Sequence, residues 1–247
     1  MTREVAGAVS GSIACGFECR SHPQVLRACG PAERSDARTV GRAHGRPADF
    51  VRVTRSRTIA AFVAWAIALA VGLGVMFRYE TTAGATATVP TTWPAGSQLP
   101  RRSGRATVVL FAHPMCPCTR ASLRELAAIM ADDHADGDAI VAFVHPDSVG
   151  DRWDDSPSWQ IAARIPHTTR FIDRDGVEAD RFGAMTSGQV AVYDAGGALV
   201  FAGGITASRG HVGDNIGSRA VLARLATVLD DQFEHPVYGC PLGGGSQ

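Results

Sequence analysis

Hydrophobic positions change their period along this chain, and the changes mark out its elements. The run 108–112, Val-Val-Leu-Phe-Ala, has no polar interruption and carries the length and β-branched content of a buried strand. Leu123, Leu126, Ala127 and Met130 then fall at i, i+3, i+4 and i+7, so a helix with one apolar face follows. Between them the turn His113-Pro114-Met115-Cys116-Pro117-Cys118-Thr119 leaves two cysteines at the helix start. A second apolar run at 139–144 predicts another buried strand, and 159–165 a short helix stopped by Pro166. Residues 171–173 and the Asp175-Gly176 turn follow. The runs 190–193 and 198–201 flank Asp194-Ala195-Gly196-Gly197 and predict a β-hairpin. Val221, Leu222, Leu225, Val228 and Leu229 define a final amphipathic helix. A βαβ unit, an antiparallel hairpin and a covering helix together predict an α/β domain, a mixed sheet flanked by helices.

The N-terminal part obeys different rules. The run 59–77, opening at Ile59 and closing at Phe77, contains no charge and is long enough for one transmembrane helix. Arg42, Arg46, Arg52, Arg55 and Arg57 precede it while Arg78 alone follows closely, which predicts a cytoplasmic N-terminus and an extracytoplasmic C-terminal domain. The rival is a cleaved signal peptide with Ala83-Gly84-Ala85 as its cleavage pattern. The long apolar run, and Arg78 and Glu80 before that pattern, favour an uncleaved anchor. The expected organisation is a disordered segment 1–50 outside the native product or ahead of the anchor, a basic flank and transmembrane helix 51–79, a linker 80–104 rich in Thr, Ala, Pro and Gly, a compact domain 105–242 and a flexible tail 243–247.

Composition narrows the function. Among 247 residues, 24 basic and 24 acidic side chains cancel, so no overall basic field speaks for nucleic acid. The six cysteines fall into two sets on either side of the apolar run. Cys15, Cys19 and Cys29, with His22 among them, lack the paired knuckles of a firm zinc site. With Cys116 as N-cap and Pro117 in the first helical position, free N–H groups and the helix dipole face the sulfur and favour its thiolate. Cys116 is therefore the expected nucleophile and the more exposed sulfur, with Cys118 as the resolving thiol. Cys240, in a turn-rich tail after the last helix, is open to three roles: alternative resolving thiol, ligand or idle residue. The plainer reading of Cys116 and Cys118 is a pair of inert buried thiols.

On these residues the chain resembles the thioredoxin-like superfamily, most closely over 108–130 and 190–201. With the anchor, it is similar to the bacterial membrane-tethered thioredoxin-like proteins labelled RedB. The shared features are His113-Pro114-Met115-Cys116-Pro117-Cys118-Thr119-Arg120-Ala121-Ser122, the Gly-Gly-Ile-Thr-Ala-Ser-Arg-Gly-His run 203–211, and the Gly239-Cys240-Pro241-Leu242 ending. The resemblance implies thiol-disulfide exchange with a partner protein that carries thiols or a disulfide, and no cofactor. Two departures stand out. Only Pro117 separates the cysteines, where the family places two residues, so a bridge between them would be a small strained ring that is easily reduced. The proline that faces the reactive sulfur before the hairpin is absent, and Gly188 takes its place.

His113 and Met115 flank the cysteines and open a second reading, since cysteine, histidine and methionine are donors that copper accepts. Some thioredoxin-like proteins outside the cytoplasm deliver copper with two cysteines and a distant histidine. Here that set would be Cys116 and Cys118 with His211 or His145, and His113 and Met115 beside them. The commoner roles are a thiolate-tuning or loop-filling His113 and a solvated His211. Arg120 and Arg124 are candidates for positive potential near the thiolates, and Asp151, Asp154 and Asp155 beside Trp153 read as a solvated loop. A peroxide-reducing enzyme is the weakest alternative, because no hydroxyl precedes Cys116 in Ala112-His113-Pro114-Met115.

Overall fold

The structure is a computed structural model that describes residues 47–146, 156–226 and 233–243, with side chains from residue 54 onward. The expectations for segment 1–46, for the acidic residues 151, 154 and 155, for Val228 and Leu229, and for the tail beyond Gly243 lie outside the described residues. The chain divides into two units, 1–53 and 54–247, and apart from the first residues of helix α1 all that follows concerns the second.

Helix α1, Pro47–Thr81, contains the charge-free run. Its portion Thr54–Thr81 has a mean hydropathy of 2.4 and none of its most apolar stretch is covered by protein. By length and composition this helix can cross a membrane.

Six strands form one sheet in the order β3-β2-β1-β4-β5-β6. The central strand β1 (Ala106–Ala112) leads through the cysteine turn into α2 (Pro117–Met130) and returns as β2 (Gly137–His145), parallel to β1. Helix α3 (Pro157–Ala162) connects to β3 (Thr168–Arg174), parallel to β2. After α4 (Val177–Arg181), β4 (Gln189–Tyr193) runs antiparallel to β1 and pairs with β5 (Leu199–Gly204) through the hairpin. Helix α5 (Ile216–Ala226) precedes β6 (Phe233–His235), which lies parallel to β5. The order β2-β1-β4-β5 with β4 alone reversed is the thioredoxin-like arrangement, so the domain has the fold expected from its sequence.

Strand periodicity explains the two-sided core. Val108, Leu110 and Ala112 point to the face covered by Leu123, Leu126, Ile129 and Met130 of α2 and by Val221 and Leu225 of α5. Val109 and Phe111 point to the opposite face, where Phe182, Tyr193, Leu99 and Leu242 pack. A strand buried on both faces reads as a continuous apolar run, which is why 108–112 shows no alternation.

The segment 80–104 is not a free linker. Trp93 packs edge-on against Phe182 and Tyr193 at centroid separations of 5.1 and 5.2 Å, and the Tyr193 hydroxyl donates to the Pro90 carbonyl at 3.0 Å. Thr92 bridges to Ala198, and the Leu199 N–H donates to the Thr91 carbonyl. This segment wraps the second core face and belongs to the domain, because its few large side chains find an aromatic pocket despite having no period of their own. The other additions to the expected elements are α4 and β6, both too short to carry a periodic signal.

Candidate thiol site

Cys116 is the N-cap of α2, with φ −75° and ψ 123°, and Pro117 follows in the first turn. Proline costs the helix nothing there, because the first N–H groups have no partner within the helix. The Cys116 N–H donates to the His113 carbonyl at 3.1 Å and the Thr119 N–H to the Cys116 carbonyl at 3.2 Å, which closes the turn.

A ring of three hydrogen bonds fixes this turn to the loop before β4. The Thr119 hydroxyl donates to the His113 carbonyl at 2.9 Å, the Ser187 hydroxyl lies 2.7 Å from Thr119 Oγ1, and the His113 N–H donates to Ser187 Oγ at 2.9 Å. With the Thr119 proton committed to His113, the Ser187 proton goes to Thr119. Next to it, Gly188 has φ +94° and donates its N–H to the Phe111 carbonyl at 2.8 Å. A Cβ at this position would lie 2.7 Å from Ser122 Oγ. Gly188 thus occupies the loop before β4 in a conformation that proline, with φ near −65°, does not adopt.

The third cysteine arrives from the C-terminus. Residues 239–242 lie along 185–187 as a short antiparallel pair, with a bridge between Thr186 and Pro241. The Ser187 N–H donates to the Cys240 carbonyl at 2.8 Å and the Leu242 N–H to the Met185 carbonyl at 2.9 Å. Cys240 Sγ then lies 3.1 Å from Cys116 Sγ. All three thiols are free, and the sulfurs of Cys116, Cys118 and Cys240 lie within 4.8 Å of one another.

Exposure within this cluster is the reverse of the sequence expectation. Cys116 is only 4% exposed, beneath the tail, whereas Cys118 and Cys240 are partly exposed. Burial opposes ionisation of Cys116, but a hydrogen bond from Cys240 and backbone donors at Thr119, Cys240 and Cys118 outweigh it and bring its thiol below the ordinary value. Burial and the neighbouring Cys116 charge push Cys118 up, and burial with the Cys116 hydrogen bond and charge pushes Cys240 up to about 12. The cluster therefore favours one thiolate flanked by two thiols.

Sequence reasoning passed over the cation that faces this cluster. Arg209, not Arg120 or Arg124, provides the positive charge that eases ionisation of Cys118 and Cys240. Its guanidinium donates to the carbonyls of Gly239, Tyr79 and Thr82, its backbone N–H donates to Glu80, and it stacks 4.8 Å from the Tyr79 ring centroid. The only available sign was its place in the 203–211 run. Thr119 and Ser187 are fully buried polar residues whose roles also needed the fold to become visible.

No histidine ring belongs to the sulfur group among the described residues. His113 is half-buried with its imidazole pKa lowered by burial, His145 is buried at the end of β2, and His211 is exposed in the loop after β5. Met115 is 67% exposed. Among the described residues, the group of cysteine, histidine and carboxylate ligands able to hold a metal ion consists of the three cysteines, without His113, His145 or His211.

No protein-family model and no curated protein matches the chain. Among solved structures, it is similar to an uncharacterized conserved protein from Geobacillus kaustophilus, at 17% identity over 68% of this chain and 95% of that one, with a TM-score of 0.46. It is also similar to a hypothetical protein from Sinorhizobium meliloti, at 18% identity over 67% and 96% with a TM-score of 0.46. A third similarity is to a secreted Mycobacterium tuberculosis disulfide oxidoreductase homologous to E. coli DsbE, at 16% identity over 50% and 82% with a TM-score of 0.34.

Proposed function

We propose that this chain is a membrane-anchored, extracytoplasmic thiol-disulfide oxidoreductase of the RedB type. The observation that carries the reading is the Cys116 sulfur at a helix N-terminus, with a lowered pKa and a second thiol 3.1 Å away. The apolar exposed helix Thr54–Thr81 and the arginines before it support the anchor and its orientation.

In the reducing direction, the Cys116 thiolate attacks one sulfur of a substrate disulfide. A Cys116–substrate bond forms, the substrate bond breaks, and the other substrate sulfur leaves as a thiolate. Cys116 has then lost its charge, so two of the influences that hold the Cys240 thiol up, the hydrogen bond to Cys116 and its negative charge, disappear. Cys240 ionises more easily and attacks Cys116 Sγ. The products are a Cys116–Cys240 disulfide and a substrate dithiol, with two electrons passed to the substrate. The reverse sequence donates a disulfide. Cys118 is a second candidate for the resolving step, at the disadvantage of the small ring it would close.

The test is thiol trapping of the full chain in detergent across glutathione buffers of graded potential. Cooperative loss of two thiols, with Cys116 joined to Cys240 in the digest, is expected. Thiols that stay reduced at every potential overturn the reading.

The three-sulfur triangle favours a second reading, a site for a soft ion such as Cu(I) held by Cys116, Cys118 and Cys240. In that case stoichiometric Cu(I) protects all three thiols from alkylation, and His211→Ala leaves the protection intact.

A further inference from the structure

The tail covers the most reactive sulfur and does so in a specific manner. Residues 239–242 supply a strand to the edge formed by 185–187, using the Ser187 N–H and the Met185 carbonyl. Gly239 approaches this edge so closely that a Cβ would lie 1.8 Å from the Ser187 carbonyl oxygen, which excludes every other residue from this pose. Leu242, 3% exposed, anchors the far end in the second core face. A cavity of about 340 Å³ runs beside the strand, lined by Gly84, Met185, Thr186, Arg209, Gly239 and Pro241, so the groove is wider than the chain in it.

An external disulfide must bring a sulfur to Cys116, and the position 3.1 Å from Cys116 is held by Cys240. Substrate and tail therefore compete for one place. We infer that residues 239–242 are a tethered stand-in for the substrate chain. The edge 185–187 then docks an extended segment with glycine immediately before its disulfide-bonded cysteine and an apolar residue two positions after it. This rests on the redox reading above and adds the substrate class: the tail shows which backbone pairing and which neighbouring side chains the edge accepts. Departure of the tail admits substrate, and its return, which displaces the substrate chain from the edge while the mixed disulfide still tethers it, brings Cys240 to Cys116.

The experiment uses the full chain in detergent with Cys15, Cys19, Cys29, Cys118 and Cys240 replaced by serine, so that Cys116 alone reports. The probe is the octapeptide Pro-Val-Tyr-Gly-Cys-Pro-Leu-Gly, the sequence of 236–243, with its cysteine joined to nitrothiobenzoate. Attack by Cys116 forms the Cys116–peptide disulfide and releases nitrothiobenzoate as a coloured thiolate carrying the electron pair of the broken bond. Adding Gly239→Val, which drives the tail off the edge, is expected to raise the rate with this peptide by about tenfold or more, as the open population grows. On the same opened chain, a peptide with alanine in place of glycine should react more slowly by a similar factor. Equal rates for the two peptides, or no acceleration by Gly239→Val, overturn the inference. Cooperative melting establishes that the variant is folded, and Leu242→Ala, which frees the anchor without touching the edge, replaces it if it is not. A small symmetric disulfide of nitrothiobenzoate separates the two levels: a Cys116 inert even towards it sinks the redox reading, whereas reaction with it and indifference between peptides sinks the docking inference alone.

Discussion

The Arg209 guanidinium donates to the Gly239 carbonyl, joining the loop after β5 to the residue that precedes Cys240. The same charge favours the ionised forms of Cys118 and Cys240. Arg209→Gln removes both effects. The Cys118 and Cys240 thiols should titrate at higher pH than in the unmodified chain, and Cys116 should alkylate faster because the tail is held less firmly. Mass-resolved alkylation as a function of pH reads both changes, and an unaltered titration of Cys240 would count against the electrostatic role.

The three thiols should separate on a pH axis. Cys116 alkylation is expected to rise with a midpoint below the ordinary thiol value of 9.0, and Cys240 with one near 12. The stability consequences have opposite signs. A folded-state pKa below the unfolded one means that ionised Cys116 contributes stability above the unfolded value, and that this contribution is lost as pH falls through the folded value. Cys240 is raised, so its contribution is complete below the unfolded pKa and is lost as pH rises towards about 12. Melting curves from pH 9 upward should show an alkaline loss that Cys240→Ser diminishes.

Ser187→Ala removes the hydroxyl that accepts from the His113 N–H and that pairs with Thr119 Oγ1 in a fully buried position. A loss of about 1–3 kcal/mol is expected from denaturant unfolding. Thr119→Val, which keeps the volume but removes the hydroxyl, should cost a similar amount. The double variant should cost less than the two separately, since the residues share one hydrogen bond.

Placing a proline at position 188 should harm this protein. The native φ of +94° is closed to proline, and the N–H donated to Phe111 would be lost. Gly188→Pro is expected to shift or unfold the loop and abolish the rapid alkylation of Cys116. Gly188→Ala should be the milder change, limited to strain at positive φ and a contact with Ser122 Oγ.

Trp93→Ala tests the status of segment 80–104. Its removal from between Phe182 and Tyr193 should cost about 2–3 kcal/mol, less than for a fully buried tryptophan because Trp93 is only half-buried. A chain beginning at residue 105 should melt far below one beginning at residue 82, and equal melting temperatures would restore the linker reading.

The legible features were those with local periodicity. The strand at 108–112, the helix carrying Leu123, Leu126 and Met130, and the hairpin around Asp194-Ala195-Gly196-Gly197 each impose their pattern within a few residues, and their order was enough for the fold. Cys116 and Cys118 were visible because a strand, a proline and a helix start frame them. Cys240 was noticed, but its approach to Cys116 spans 124 positions and depends on backbone pairing with 185–187, which leaves no periodic trace. The expectation of an exposed Cys116 failed for the same reason, since the covering strand comes from the far end of the chain. Trp93 gave no signal because one aromatic residue in a proline-rich segment has no period.

Arg209 also grips the place where α1 ends, through the carbonyls of Tyr79, Glu80 and Thr82. With α1 in a bilayer, as proposed, the thiol crevice stands on a post rather than swinging on a leash. The contacts of Arg209 with the end of α1 would then couple any tilt of that helix directly to the loop that carries the guanidinium.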